Sequence, residues 1–147
     1  MIPAGAAACE ARGMKSDDPL ISIVEDDESL RQAMVGLVRS LGYRVASYPN
    51  AEDFLSADGG RASACVITDI QMPGLSGIDL KLRLSADGVE TPVIMVTARA
   101  EPALHEKAMA SGASCLLRKP FTAEALIECL DRALAASPGG HPAPELG

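Results

Sequence analysis

Ala64-Cys65-Val66-Ile67-Thr68-Asp69-Ile70-Gln71-Met72-Pro73-Gly74-Leu75-Ser76-Gly77 is the stretch on which the fold turns. Residues 64–68 run without polar alternation, the pattern of a strand buried on both faces of a parallel sheet. The run stops at Asp69. Pro73, Gly74 and Gly77 then break regular structure, leaving the Asp69 carboxylate at a strand end with an open side. A second unbroken run, Val93-Ile94-Met95-Val96, opens after Thr91-Pro92. Between the two, Ile78, Leu80, Leu82 and Leu84 alternate with polar residues, which is a strand period. A helix is predicted there all the same, because two parallel neighbours need a long crossover connection.

Working outward, Leu20–Val24 reads as a strand. Leu30, Ala33, Met34, Leu37, Val38 and Leu41 then fall at helical spacing, with Gly42 as a stop. Tyr43–Tyr48 alternates as a strand up to Pro49, and Asn50 can cap a short helix holding Phe54 and Leu55. On the other side, Glu101–Ser111 reads as a helix ended by Gly112, and Ser114–Arg118 as a fifth strand. Thr122 then opens a helix whose inner stripe is Leu126, Ile127, Leu130 and Leu134. Five β/α units in succession imply an α/β fold, a doubly wound parallel sheet covered on both sides.

Composition sets the outer limits. The chain has 147 residues, 48% hydrophobic and 22% charged, with a net charge of −7. This is a globular composition, and its negative field disfavours direct nucleic-acid binding. No apolar run is long enough to span a bilayer, and no secretory leader is evident. Residues 1–18 are expected to be a loosely ordered extension, 19–136 the folded domain, and the Pro/Gly-rich 137–147 a tail or linker. Cys9, Cys65, Cys115 and Cys129 share no C-x-x-C spacing, and His105 and His141 lie far apart, so no zinc site is expected. Cys65 and Cys115 read as small buried hydrophobes, and no disulfide framework is expected, consistent with a reducing cytoplasm.

In open α/β sheets, ligands bind beyond the carboxyl ends of the strands, where the strand order reverses. Strand one ends in Glu25-Asp26, strand three in Asp69, strand four in Thr97-Ala98 and strand five in Lys119-Pro120. In the order 2-1-3-4-5, strands one and three are neighbours, so Glu25, Asp26 and Asp69 converge. Clustered carboxylates repel, and a hard dication such as Mg²⁺ relieves them while tolerating phosphate oxygens. A lysine and a threonine beside them suit further phosphate oxygens, and a carboxylate can take a phosphoryl group as nucleophile.

This set resembles the receiver domain of two-component response regulators. It is carried by Glu25-Asp26, by Asp69 followed by Met72-Pro73 and Gly77, by Thr97-Ala98 and by Lys119-Pro120. The wording is nearest to receivers of nitrogen-fixation and nodulation regulators. The resemblance implies a flavodoxin-like (βα)5 fold and transfer of a phosphoryl group from a histidine kinase or phosphotransfer protein to Asp69. It implies Mg²⁺ held by Glu25, Asp26, Asp69 and the Gln71 backbone carbonyl, with Thr97 and Lys119 on phosphoryl oxygens. It further implies a cis Lys119-Pro120 bond, a cytoplasmic location, and an output or homodimer face made by the helix over 101–111, strand five and the last helix.

The chain departs from the family at Leu116, where an aromatic residue is usual, and at Cys115, often acidic there. Arg99 and Gln71 stand at positions that tune dephosphorylation in the family. Two other readings use the same residues. A pseudo-receiver would act as a phosphorylation-independent interaction module. A haloacid-dehalogenase-like hydrolase would need a second acid two residues after the nucleophile, where this chain has Gln71.

Overall fold

A computed structural model describes residues 18–99 and 101–135; residues 1–17 of the extension expected over 1–18, the tail over 137–147, Cys9 and His141 lie outside them. The elements are β1 (Leu20–Val24), α1 (Glu28–Ser40), β2 (Arg44–Tyr48), α2 (Ala51–Ser56), β3 (Cys65–Asp69), α3 (Gly77–Ala86), β4 (Val93–Thr97), α4 (Pro102–Ala110), β5 (Cys115–Arg118) and α5 (Ala123–Ala135). A further helical turn, Gly59–Ala62, follows α2. All strand pairs are parallel and the order is β2-β1-β3-β4-β5, the order expected from the sequence.

Because each strand turns successive side chains to opposite faces, the unbroken apolar strands fill two cores at once. Ile21, Ile23, Ile67, Ile94 and Val96 pack under α1 and α5, against Met34, Val38, Leu126 and Leu130. Val24, Val66, Val93 and Met95 pack on the other face, against Phe54, Leu80, Leu84 and Ala108. The stripe expected on α5 is shifted slightly. Leu126, Cys129, Leu130 and Ala133 are its buried residues, while Ile127 is half-buried. Thr122 caps this helix by accepting the Ala125 N–H at 3.1 Å.

The ambiguous segment is a helix, α3, and its start is fixed locally. The Ser76 side chain accepts the Asp79 N–H at 3.0 Å, and the Asp79 carboxylate accepts the Ser76 N–H at 3.2 Å. This reciprocal capping box satisfies backbone donors that would otherwise be orphaned. Leu80 and Leu84, four apart, are buried, whereas Leu82 is 51% exposed. The period-two alternation is therefore incidental: Leu80 and Leu84 face inward, Ile78 is half-buried against the same core, and only Leu82 of the four faces outward.

One expectation is overturned. Cys115 is buried as predicted, but it is bonded to Cys129 and is not a free thiol. Packing of α5 over the edge strand brings the two Cα atoms to 5.9 Å across a sequence separation of 14. No spacing rule connects such positions, since the contact is made by tertiary packing. Cys65 is free and buried, as expected.

Asp69 is held at the strand end by a close crossing of the chain on itself. The Gly77 N–H donates to the Ile70 carbonyl at 3.0 Å. A Cβ at position 77 would lie 2.5 Å from the Asp69 carbonyl oxygen and 3.1 Å from the Ile70 Cα. Those neighbours are backbone and cannot rotate away, so only glycine fits. Gly77→Ala is expected to destabilise the domain by about 2 kcal/mol or more, the scale of overpacking in a dense site. Urea unfolding of the two proteins checks this, and an unchanged midpoint would refute it.

Candidate functional site

The parallel strands deliver their carboxyl ends to one edge, and the order reverses between β1 and β3. Glu25 follows β1 directly and is buried, while Asp26 next to it is exposed. The Glu25 carboxylate accepts the Asp27 N–H at 3.1 Å, and its backbone carbonyl accepts from Arg31 Nη1 at 2.8 Å. Asp27 caps α1 by accepting the Leu30 N–H at 3.0 Å. The acidic run is thus divided: Glu25 turns inward, Asp26 stays at the surface, and Asp27 starts a helix.

Asp69 ends β3 and is buried. Its Oδ1 accepts the Gln71 N–H at 3.2 Å. Its Oδ2 accepts from Lys119 Nζ at 3.1 Å, and the same ammonium donates to Glu25 Oε1 at 3.3 Å. Lys119 precedes a cis peptide bond to Pro120. The Thr97 hydroxyl, at the end of β4, accepts the Arg99 N–H at 3.0 Å and reaches the Gln71 side-chain carbonyl at 3.5 Å. Every residue anticipated at the site therefore stands at the same edge. Gln71 joins it through its N–H and side chain.

Carboxylate oxygens of Glu25, Asp26 and Asp69 lie within 4.8 Å of one another. Three formal negative charges face one ammonium, so the cluster is left negative. Burial pushes the Glu25 carboxyl from its ordinary 4.5 up to about 7; the Asp27 N–H opposes this and the Asp69 charge adds to it. Burial alone would lower Lys119, but its bonds to Asp69 and Glu25 outweigh that and leave it raised, so it remains a cation. An all-oxygen, acid-rich donor set with one buried and one open carboxylate fits a small hard dication and suits Mg²⁺.

Three supporting contacts escaped the sequence reading. Arg31 clamps the Glu25 carbonyl. Glu52 of α2 accepts the Leu75 N–H at 3.2 Å and lies against Gly74, whose φ is +81°, so α2 braces the loop after Asp69. Nothing in local spacing announces these two. The Ser76/Asp79 box did carry a signal, the S-x-x-D pattern before an apolar run. Leu116 is half-buried and lines a cavity of about 430 Å³ with Thr97, Arg99 and the exposed His105. Among the described residues, no helix is long and apolar enough to cross a membrane.

Comparison with known proteins agrees with this fold. The family description "response regulator receiver domain" matches residues 21–131. Response regulator protein TmoT of Ectopseudomonas mendocina is 34% identical, over 85% of this chain and 57% of that protein. Nodulation protein W of Bradyrhizobium diazoefficiens is 32% identical, over 83% of this chain and 52% of that protein. The chain thus spans about half the length of these curated relatives. Among solved structures, the crystal structure of FixJ-N superposes with a TM-score of 0.76 at 28% identity, covering 82% of this chain and 96% of that one.

Two outcomes follow from the electrostatics. Asp69→Asn removes repulsion from two carboxylates and loses attraction to one ammonium. In metal-free buffer its stability should be unchanged or higher by about 1 kcal/mol. Thermal melting checks this, and a clearly lower Tm would contradict a repulsive pocket. The raised Glu25 carboxyl binds its proton more tightly folded than unfolded. Its contribution is therefore fully present below pH 4.5 and lost as pH rises through about 7. Glu25→Gln should flatten that part of the metal-free stability profile, and an unaltered slope would contradict it.

Proposed function

This chain belongs to the response regulator receiver domain family of two-component signalling, and we propose that it accepts a phosphoryl group on Asp69 and thereby alters a partner-binding face. The observation that carries this reading is the Lys119 ammonium held between Asp69 Oδ2 and Glu25 Oε1. It is a cation positioned beside the nucleophilic carboxylate, in a pocket whose remaining charge favours a dication.

The proposed chemistry is an in-line displacement. An Asp69 carboxylate oxygen forms a bond to phosphorus while the bond from phosphorus to the imidazole nitrogen of a donor phosphohistidine breaks, and the freed histidine departs. Lys119 moves from the carboxylate to a phosphoryl oxygen, offsetting the added negative charge. The Thr97 hydroxyl, which donates to the Gln71 side-chain oxygen at a long 3.5 Å, would exchange that bond for one to another phosphoryl oxygen. Glu25, Asp26, Asp69 and the Gln71 backbone carbonyl would hold Mg²⁺. The ion, when bound, neutralises charge on the transferring group.

Receiver domains interact with histidine kinases or phosphotransfer proteins, and such a protein is the proposed donor here. The unit is proposed to span 19–136, to act in the cytoplasm, and to carry its output on the α4-β5-α5 face, as a homodimer or with a partner. Its own phosphorylation and dephosphorylation would be the only reactions it promotes. The net charge of −7 favours a protein as the partner of this segment over nucleic acid.

Incubation with acetyl phosphate, followed by intact-mass measurement, tests the reading. One phosphoryl adduct is expected on the wild type with Mg²⁺, and none without Mg²⁺ or in Asp69→Asn. A folded wild type that neither forms an adduct nor binds beryllofluoride would support a phosphorylation-independent module instead. Mg²⁺ should also raise the Tm by mass action, the stabilisation reaching about 2.7 kcal/mol at a hundredfold excess over Kd. Calcium-free and magnesium-free melts of the same protein provide the baseline.

A further inference from the structure

We propose that Cys115 and Cys129 are a reversible thiol pair, oxidised by a peroxide, whose disulfide ties the edge strand β5 to the helix α5 that covers it. β5 is the outermost strand on its side of the sheet, and Cys115 is its first residue. Cys129 lies on the inner side of α5, in the same apolar cluster. The Cα atoms are 5.9 Å apart, inside the range that a disulfide spans without backbone movement. This packing of β5 against α5 therefore accommodates the bond without backbone strain from the Cα separation.

Both residues are buried, and what distinguishes the two sulfurs is a charged neighbour. Arg132, exposed on the next turn of α5, places Nη1 3.8 Å from Cys115 Sγ. A guanidinium beside a sulfur favours the anionic form, which is the nucleophile. Among the described residues, no basic side chain is seen on the Cys65 sulfur, which hydrogen-bonds the Val66 carbonyl, and burial pushes its thiol up to about 12. The geometry thus distinguishes an attacking thiol at 115, a resolving thiol at 129 and an inert one at 65.

In the first step the Cys115 thiolate attacks one peroxide oxygen. An S–O bond forms, the O–O bond breaks, and the departing hydroxide takes up a proton as water. In the second step the Cys129 sulfur attacks that sulfenic acid. An S–S bond forms, the S–O bond breaks, and a second water leaves. Two thiols and one hydrogen peroxide become one disulfide and two waters. A dithiol reverses it by exchange, becoming a disulfide itself. The crosslink lies one residue from Leu116 and on the strand that leads to Lys119, so it gives this face a chemical input that does not pass through Asp69.

The test treats fully reduced protein with hydrogen peroxide, then alkylates it under denaturing conditions and maps the peptides. The expected product carries a 115–129 linked peptide, leaves Cys65 alkylated, and returns to dithiols with dithiothreitol. Its Tm should rise by roughly 5–10 °C, the scale of a short closed loop. In Cys129→Ala the reaction should stop at a sulfenic acid on Cys115, captured by dimedone, and Arg132→Gln should slow that capture. Asp69→Asn should oxidise like the wild type. A linkage through Cys9, dimedone capture spread equally over Cys65, or no intramolecular link in folded protein would each overturn the proposal.

Discussion

One ammonium group stands between Asp69 and Glu25, at 3.1 Å and 3.3 Å. Lys119 comes from the far edge of the sheet, yet it is the only cation that the described ion pairs bring to the acidic cluster. Without it, three carboxylates would face one another with, among the described contacts, only the Asp27 and Gln71 N–H groups to offset their repulsion. With it, the cluster remains negative by formal count and so retains an appetite for more positive charge. That imbalance connects folding to function. A pocket that is satisfied would have no use for a dication, and in the proposed reaction a pocket with no lysine would have no cation to offer a phosphoryl oxygen.

The rest of the fold keeps those groups where they are. Parallel pairing sends all the strand ends to one edge, and the reversal between β1 and β3 opens a crevice there. Below the edge, cores on both faces of the sheet fix the strands. Above it, Gly77 brings the chain back against Ile70, Glu52 ties down the loop, and Arg31 clamps the end of β1. These contacts place reacting groups through backbone, which has fewer ways to relax than a long side chain.

Much of this was legible in the sequence because the chemistry sits at strand ends, and strand ends are marked by where apolar runs stop. Glu25, Asp69, Thr97 and Lys119 were readable for that reason. The segment over 78–84 was less so, since its leucines obey a strand period. The Ser76 and Asp79 pair held the better clue to the helix. What could not be read was contact between distant positions. Neither Arg31 on the Glu25 carbonyl nor Cys115 beside Cys129 leaves a trace in local spacing, because both depend on how α1 and α5 settle on the sheet. The cysteine reading failed there, while the buried character of the residue was right.

The central claim is that the Asp69 carboxylate itself becomes the acyl phosphate. Borohydride reduction gives the most direct check, since it converts an acyl phosphate to an alcohol and leaves a free carboxylate alone. After treatment with acetyl phosphate and Mg²⁺, peptide sequencing by mass spectrometry should find homoserine at position 69 and aspartate at 26. Homoserine elsewhere, or an unreduced Asp69 in protein that carries a phosphoryl adduct, would contradict the account.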